Sequence, residues 1–596
     1  MHDEQPTDLE RRALAAWTPT EPPPDFADRV MTAATHTTPS TTDLPELPRI
    51  GLRWPRVAAA VLAATALVGT AAAALKYSVW SSGQVKDPAP AGRNSLDHFD
   101  PRDPGDAVDT SRRPAPAGPA PLALPGDLSA RLDAHVRGYG AKYGPAFAFR
   151  GSLVVARRGE VLYAGHFGHT SDGGPAIDDN TRFKIGSLTQ QFIAVAVLQL
   201  RDEGKLDLDD PVARHLSEFT DKRVTVRHLL SHTSGVRSYT DSLPLLELEP
   251  HKTYPQGRIL ESFKDEPLEF PPGTDFDLSN SGYYLLGMLV ERVGKHKLAD
   301  ELQRRIFRPA GMTHTSLGDE RRPDPAAPMT TGHEFSEEEV LVPVPGYDLA
   351  SVYGGAAGIV STPADLVRWD AALASPGALL SQASFDEMTT PVREDYGLGW
   401  IVDHTRGQKF IGHPGGVEGF NSAIARYLGD GITVFAVANT ETVDCRDIVE
   451  QATEIVYGGN PPPHLEHDEV PVSPAMFERY VGDYTLSEAS QQRLSRLVDR
   501  DALGVMNEVK IYDDGGRLFM LIPMHGGKWL HKSGEDRFFF KDPSGTTAEF
   551  GPPGAPVETL TLRQHGLEFV LKRGKPGGEA PAIRVNSGAF RPADHD

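Results

Sequence analysis

The stretch FKIGSLTQQFIAVAVLQL, residues 183–200, decides the fold of this chain. Its second half is a long apolar run, and Gly186 brings Ser187 to the start of the helix that this run predicts. A serine at a helix N-terminus lies where free backbone N–H groups and the positive end of the helix dipole converge. Gln190, three residues further on, shares the helix face of the serine. The pattern therefore places Ser187 as a nucleophile or an anion-binding residue; a capping box formed by Ser187 and Gln190 is the structural alternative.

Length, charge and cysteine content limit the classes of protein. The 596 residues exceed one ordinary hydrophobic core, which predicts two or more domains with linkers. The net charge of −22 argues against a nucleic-acid partner, because a phosphate-binding surface needs basic residues. The single cysteine, Cys445, excludes an intramolecular disulfide and a multi-cysteine metal site. We expect neither a metal ion nor a cofactor.

The first 125 residues predict a membrane attachment. Residues 1–56 are polar and interrupted by prolines, which indicates a largely disordered cytoplasmic tail that could dock a cytoplasmic protein partner. Residues 57–79 begin with 19 uncharged residues, VAAAVLAATALVGTAAAAL, close to the length of about 20 that crosses a bilayer. Arginines precede this segment, which places the N-terminus in the cytoplasm and the main domains outside it. A cleaved signal peptide is the alternative, and residues 80–125 form a Pro/Ala-rich linker.

Residues 126–460 predict one α+β domain. Apolar and polar residues alternate on both sides of Arg158 and Gly159, which indicates a β-hairpin. Residues 282–293 predict a second apolar helix, and further alternating strands follow near the end of the domain. Strands at both ends with helices between them indicate an antiparallel sheet flanked by helices, with a helical subdomain.

The C-terminal part predicts a second, smaller domain. Residues 461–475 are rich in proline and form a linker. Residues 476–575 contain short strands separated by Gly/Asp turns, which is typical of a small all-β barrel. Residues 576–596 are left as a tail.

Several motifs resemble those of the penicillin-recognising serine hydrolases, in the branch of class C β-lactamases, D-alanyl-D-alanine carboxypeptidases and esterases. They occur in family order over more than half of the chain. The motifs are FKIGSLTQQF, VTVRHLLSHTSGV, FPPGTDFDLSNSGYYLLG, IFRPAGMTHTSL, GIVSTPADL, YGLGW and GHPGGVEGF. The resemblance implies the β-lactamase/transpeptidase-like fold, to which a small C-terminal barrel is often appended.

The resemblance also implies the roles of the site residues. Ser187 is the nucleophile of the family's Ser-x-x-Lys element, and Asn280 is the substrate-binding asparagine of its Tyr-x-Asn element. His413 opens the third element, His-Pro-Gly, and its Gly415 lines the opposite wall of the cleft. The backbone N–H groups of Ser187 and Gly416 would form an oxyanion hole.

Two residues depart from the family pattern. Gln190 replaces the lysine that acts as base, and an amide cannot accept a proton near neutral pH. Leu278 replaces the tyrosine that shares proton transfer. Removal of a general base typically lowers the rate by about 10²–10⁴. One rescue is a Ser–His dyad in which His413 is the base; a structural role for His413 is the alternative.

Three functions follow from these observations. The first is an impaired enzyme, anchored in the membrane, that binds a cell-wall peptide, a β-lactam or a related acyl compound. The second is an active serine hydrolase, either an esterase, a D,D-peptidase or a β-lactamase, with Ser187 and a non-standard base such as His413. The third is a scaffold with an empty cleft. The choice between them depends on the side chains around Ser187.

Overall fold

A computed structural model describes residues 124–574. The gaps in it are 242–247, 250–251, 319–323, 325, 337–338, 345, 376, 462–466, 495–507, 515, 523–525, 542–544, 553 and 565–566. The predicted tail 1–56, the membrane segment 57–79, nearly all of the first linker and the final tail lie outside the described residues. Among the helices within the described ranges, none has the length and apolar content that crossing a bilayer requires.

A six-stranded antiparallel sheet forms the centre of the larger domain. The strands are β1 (Gly151–Arg157), β2 (Glu160–Phe167), β8 (Ile401–Thr405), β9 (Gln408–Val417), β10 (Phe420–Tyr427) and β11 (Ile432–Ala438). Their order in the sheet is β2-β1-β11-β10-β9-β8. The first two form the predicted hairpin, in which Arg157 pairs with Glu160. Strands from both ends of the domain therefore meet in one sheet, which confirms the α+β prediction.

Helices cover both sides of this sheet. They are α1 (Leu128–Gly138), α2 (Thr189–Asp202), α3 (Val226–Leu230), α4 (Gln256–Leu260), α5 (Asn280–Gly294), α6 (Leu298–Leu302), α7 (Leu349–Val352), α8 (Gly354–Ala357), α9 (Pro363–Ala374), α10 (Gln382–Met388) and α11 (Cys445–Val456). One face of the sheet packs against α1 and α11. The other face packs against a larger core to which α2 and α5 contribute most of their residues.

The opening stretch forms a deeply buried helix, α2. Eleven of the fourteen residues of α2 are buried, because its apolar run leaves almost no polar face. Phe192 stacks on Trp369 of α9 with ring centroids 4.1 Å apart. Trp369 also donates its indole N–H to the Gln191 side chain at 2.6 Å, so this buried amide oxygen has a partner. The burial fixes the helix axis, and with it the position of Ser187.

Two small sheets complete the larger domain. One contains β3 (Phe183–Lys184), β4 (Ser316–Leu317) and β7 (Ile359–Ser361), with β7 in the middle. It leads the chain into Ser187, because Ile185 donates its N–H to Ile359 O at 3.1 Å. The other is a hairpin of β5 (His333–Phe335) and β6 (Leu341–Pro343).

The C-terminal part is a closed eight-stranded antiparallel barrel. Its elements are β12 (Gly482–Leu486), α12 (Glu488–Leu494), β13 (Glu508–Asp514), β14 (Arg517–Ile522), β15 (Gly526–Gly534), β16 (Arg537–Phe539), β17 (Thr547–Gly551), β18 (Thr559–Gln564) and β19 (Leu567–Arg573). Closure through β12 and β19 leaves no free strand edge in the sheet. The barrel has its own core, which confirms the predicted small β unit.

Candidate active site

Ser187 lies at the entry to α2. Residues Gly186–Leu188 form one 3₁₀ turn, and the α-helix continues from Thr189. The start of this helix has no side-chain cap, so the serine is not used as a capping residue. Its side chain is half-buried while both chain neighbours are buried. Ser187 is therefore the partly accessible polar residue at the positive end of a buried helix.

Strand β9 brings two glycines against this turn. A Cβ atom on Gly186 would lie 2.5 Å from the backbone N of Gly416, and one on Gly415 would lie 2.4 Å from Ile185 O. Ser422 of β10 also donates its hydroxyl to Ile185 O at 2.8 Å, which fastens the turn to the sheet. The backbones of the Ser187 turn and of Gly416 are thus in direct contact. This is the juxtaposition that an oxyanion hole made of these two N–H groups requires.

Substitution of Gly186 should damage this arrangement. Gly186 has φ +54°, in the left-handed region, and Gly186→Ala would in addition push a methyl group into Gly416. We expect a loss of about 1–2 kcal/mol from the backbone conformation alone, and a fall of about 10² in covalent labelling of Ser187 because one oxyanion donor is displaced. The control Gly204→Ala has φ +68° and open space around its Cβ. Urea unfolding should give the backbone loss for Gly204→Ala and at least that loss for Gly186→Ala, where the contact with Gly416 adds to it. Equal labelling of the two folded variants would contradict the assignment of the oxyanion hole.

The side chain of Gln190 is hydrogen-bonded to His232 and not to Ser187. Its Oε1 accepts a hydrogen bond from His232 Nε2 at 3.0 Å, and both side chains are buried. The Nδ1 atom of His232 accepts the backbone N–H of Ser279 at 3.1 Å, so the ring proton belongs on Nε2. Burial, with a smaller contribution from His413, lowers the pKa of His232 well below its usual value. A neutral histidine therefore holds the Gln190 carbonyl as an acceptor.

In the segment that matches the family's Tyr-x-Asn element, Asn280 forms a hydrogen bond, whereas Leu278 has no polar side-chain atom. Asn280 opens α5, is half-buried and donates from Nδ2 to Thr240 Oγ1 at 2.9 Å. No described residue donates to its Oδ1, which leaves this oxygen for a ligand amide. Leu278 is half-buried in the loop that His232 holds through Ser279.

His413 is buried in β9 and bonded at both ring nitrogens. Nδ1 lies 2.6 Å from Pro414 O, and a carbonyl only accepts, so Nδ1 carries the proton. Nε2 lies 3.0 Å from the hydroxyl of Tyr396, which therefore donates to it. Burial lowers the pKa of His413 to about 4, so the ring is neutral at physiological pH. The structure places Tyr396 on the nitrogen that a direct Ser–His dyad would need, and the dyad itself stays a prediction.

The surroundings of Ser187 therefore supply donors rather than bases. Within the described ranges, no basic or acidic side chain is hydrogen-bonded to the Ser187 hydroxyl. Nor do the described residues contain three or more His, Cys, Asp or Glu side chains grouped as a metal site. The geometry can bind a carbonyl group at the helix start and can hold an acyl compound there. It offers no direct acceptor for the serine proton.

A carboxylate cluster lies two residues beyond Gly416. Glu418 accepts the hydroxyl of Tyr353. Burial raises the pKa of Glu441 from 4.5 to about 8, and the charges of Glu334 and Glu418 add to this shift. Glu441 is therefore mostly protonated at pH 7, so the cluster carries less negative charge than its three carboxyl groups imply.

Two residues of the site were missed by reasoning from the sequence. His232 lies in the motif VTVRHLLSHTSGV and Tyr396 in YGLGW, and the sequence assigns neither residue a role. Both motifs stand in family order, which is the one signal that could have marked them. Neither Tyr283 nor Lys184 replaces the missing groups: Tyr283 donates to Leu230 O, and Lys184 lies over the ring of Phe420.

Comparison with known proteins points to one family. A family model described as Beta-lactamase matches residues 132–453, more than half of the chain. The chain is 28% identical over 392 residues to penicillin-binding protein 4* of Bacillus subtilis, which covers 62% of this chain and 86% of that protein. It is 25% identical to the protein flp of Staphylococcus aureus, over 49% of this chain and 60% of flp. The octameric penicillin-binding protein homologue from Pyrococcus abyssi has the same fold, with a TM-score of 0.50 and 21% identity over 74% of this chain and 99% of that one.

Proposed function

Since the chain belongs to the β-lactamase family of serine hydrolases, we propose that its Ser187 cleft binds an acyl compound without efficient turnover. The ligand class is a cell-wall peptide, a β-lactam or a related acyl compound. One observation carries this proposal: the side chain at position 190 is an amide whose oxygen accepts the N–H of His232. The position that should hold the base is therefore occupied by a group that cannot take a proton.

The magnitudes support slow acylation rather than none. Absence of a general base lowers a rate by about 10²–10⁴. Loss of a second coupled group adds less than that, because catalytic residues act as a unit. An oxyanion hole and binding alone retain about 10³–10⁴ over the rate in water. The loss from the missing base and the rate retained by the oxyanion hole together predict an acyl adduct on Ser187 that forms slowly and persists.

Binding of a fluorescent penicillin to the purified full-length chain tests this function. We expect saturable binding that a D-alanyl-D-alanine peptide competes away. Ser187→Ala should retain the saturable component and lose the covalent one, because the pocket remains while the nucleophile is gone. If neither protein shows saturable binding, the cleft is not a receptor for this class and the scaffold interpretation gains support.

An active serine hydrolase is the second candidate. The observation that favours it is the hydrogen bond between His413 Nε2 and Tyr396, which keeps a neutral imidazole close to Gln190. Hydrolysis of nitrocefin or p-nitrophenyl acetate at many turnovers per chain, lost in Ser187→Ala, would favour this candidate over the first.

We also propose a single-pass anchor in the cell membrane, on sequence grounds alone. Residues 57–79 would cross the bilayer with the 56 preceding residues in the cytoplasm, where they could meet a protein partner. Alkaline carbonate extraction of membranes from cells that express the chain should leave it in the pellet. Release into the soluble fraction would contradict the anchor.

A further inference from the structure

His232 follows α3 in a strained turn that lies between two of the family motifs. Its φ of +55° is in the left-handed region, which residues with a side chain occupy only occasionally. The residue is buried, and its backbone O accepts the N–H of Asp277 at 3.0 Å. Strain of this kind persists where the surroundings fix a residue, and it is concentrated at functional sites. The backbone of His232 therefore points to a role for its side chain.

The two ring nitrogens of His232 bond to two different walls of the cleft. Nδ1 accepts the backbone N–H of Ser279 at 3.1 Å, and Ser279 is the N-cap of α5, which Asn280 begins. Nε2 donates to Oε1 of Gln190 at 3.0 Å, and Gln190 lies in α2 about one helical turn after Ser187. One imidazole ring thus joins the start of α5 to the start of α2.

Aromatic neighbours hold the ring of His232 in this orientation. The ring centroids of Tyr396 and Tyr283 lie 4.9 Å and 5.0 Å from that of His232, and Phe276 lies edge-on at 6.1 Å. Burial, with a smaller contribution from His413, lowers the pKa of His232 well below its usual value. The ring is therefore neutral, and only a neutral imidazole can accept at one nitrogen while it donates from the other.

The other bonds of Asn280 do not reach α2. Its backbone N–H donates to Ser238 Oγ at 3.2 Å, and its Nδ2 donates to Thr240 Oγ1 at 2.9 Å. Both bonds place Asn280 relative to residues 238–240. The bond from the preceding Ser279 to His232 is the one described above that leads on to α2, through Gln190.

We infer that His232 is a positioning residue, which sets the place of Asn280 relative to Ser187 for a ligand that contacts both. The inference rests on the proposed function, because it takes the Ser187 cleft as the place where an acyl compound binds. Penicillins and D-alanyl-D-alanine peptides carry an amide N–H beside the reactive carbonyl, which Asn280 Oδ1 can accept. His232 acts on this contact through Ser279 and Gln190.

Reversible binding of a fluorescent penicillin to full-length chains that carry Ser187→Ala tests the inference without a covalent step. His232→Gln can still donate to Gln190, but it leaves the N–H of Ser279 without its acceptor. We expect its Kd to rise about 10-fold, the value of one hydrogen bond between neutral groups. His232→Asn brings an oxygen to the place of Nδ1, and asparagine tolerates the left-handed conformation. This conservative variant should restore the Kd to within about 3-fold of the Ser187→Ala chain.

A double variant separates positioning from a general structural role. Asn280→Ala should raise the Kd by about the same factor as His232→Gln. Together they should raise it no further, because His232 acts through Asn280. The matched control is His228→Gln: His228 also lies in α3, and its Nδ1 accepts the backbone N–H of Thr225 at 3.3 Å. We expect the Kd of this control to stay within about 2-fold.

Urea unfolding establishes which variants are folded before their Kd values are compared. An unchanged Kd in folded His232→Gln, or a further 10-fold rise in the double variant, would overturn the inference. If His232→Gln does not fold, the asparagine variant decides: a Kd near that of the Ser187→Ala chain supports the inference, and a Kd at the level of Asn280→Ala overturns it. Absence of saturable binding in the Ser187→Ala chain itself would contradict the proposed function instead.

Discussion

Gln190→Glu is expected to raise the rate of penicillin acylation of Ser187 about 10²-fold. The carboxylate has the shape of the amide and can accept the N–H of His232, which already bonds to the side chain at this position. It adds a proton acceptor three residues from the serine, and a positioned base contributes about 10²–10⁴. The lower end applies because one of its oxygens is engaged by His232. The time course of fluorescent-penicillin incorporation measures the effect.

Gln190→Met is the matched control for this gain. Methionine fills a similar volume but leaves the buried N–H of His232 without an acceptor, which costs about 1–3 kcal/mol of stability. It should give no increase in rate. Equal rates for the glutamate variant and the wild type, both fully folded, would show that a missing base is not what limits acylation.

Asp370→Ala is expected to lower the free energy of unfolding by about 3–5 kcal/mol. Asp370 of α9 is buried and pairs with Arg426 of β10, whose side chain is only 6% exposed. It also accepts the hydroxyl of Thr433 and the backbone N–H of Gly159, the latter at 2.9 Å. Its removal leaves a buried guanidinium without a counter-charge, which is the costly case for an ion pair. Urea unfolding of the full-length chain gives the value.

An exposed ion pair supplies the control for Asp370. Arg214 contacts Asp210, but its side chain is 68% exposed, so Arg214→Ala should cost less than about 1 kcal/mol. A loss at Asp370→Ala no greater than that at Arg214→Ala would mean that water reaches the Arg426 site. The link between α9 and the sheet would then be weaker than its burial indicates.

The elements that local pattern determines were predictable from the sequence. The helix after Ser187, the hairpin at Arg158 and the C-terminal barrel each follow from apolar spacing and turn residues within a short window. The structure starts α5 at Asn280, two residues before the predicted apolar helix, because Ser279 caps it by accepting the N–H of Gly282. The predicted and observed starts of this helix differ by only two residues, because the apolar residues that predict the helix are the ones that it buries.

The chemistry around Ser187 could be predicted only in part, because its partners are distant in sequence. The family motifs supplied Ser187, Asn280 and His413. His232 lies 42 residues from Gln190 and Tyr396 lies 206 residues from it, and no local periodicity connects them. The substitution at position 190 was visible in the sequence. That its amide accepts from His232, and that the Tyr396 hydroxyl bonds to His413 Nε2, depends on how α2, β9 and the segments that carry His232 and Tyr396 pack together.

The turnover of nitrocefin per chain, measured with intact-protein mass spectrometry on the same sample, tests the central claim most directly. The account predicts one acyl adduct of ring-opened nitrocefin on Ser187 that accumulates slowly, with hydrolysis about 10²–10⁴ below the roughly 1–10³ s⁻¹ typical of enzymes. Ser187→Ala should show neither adduct nor hydrolysis. Rapid hydrolysis over many turnovers, with no adduct accumulating on the wild type, would contradict the claim that the site lacks an effective base.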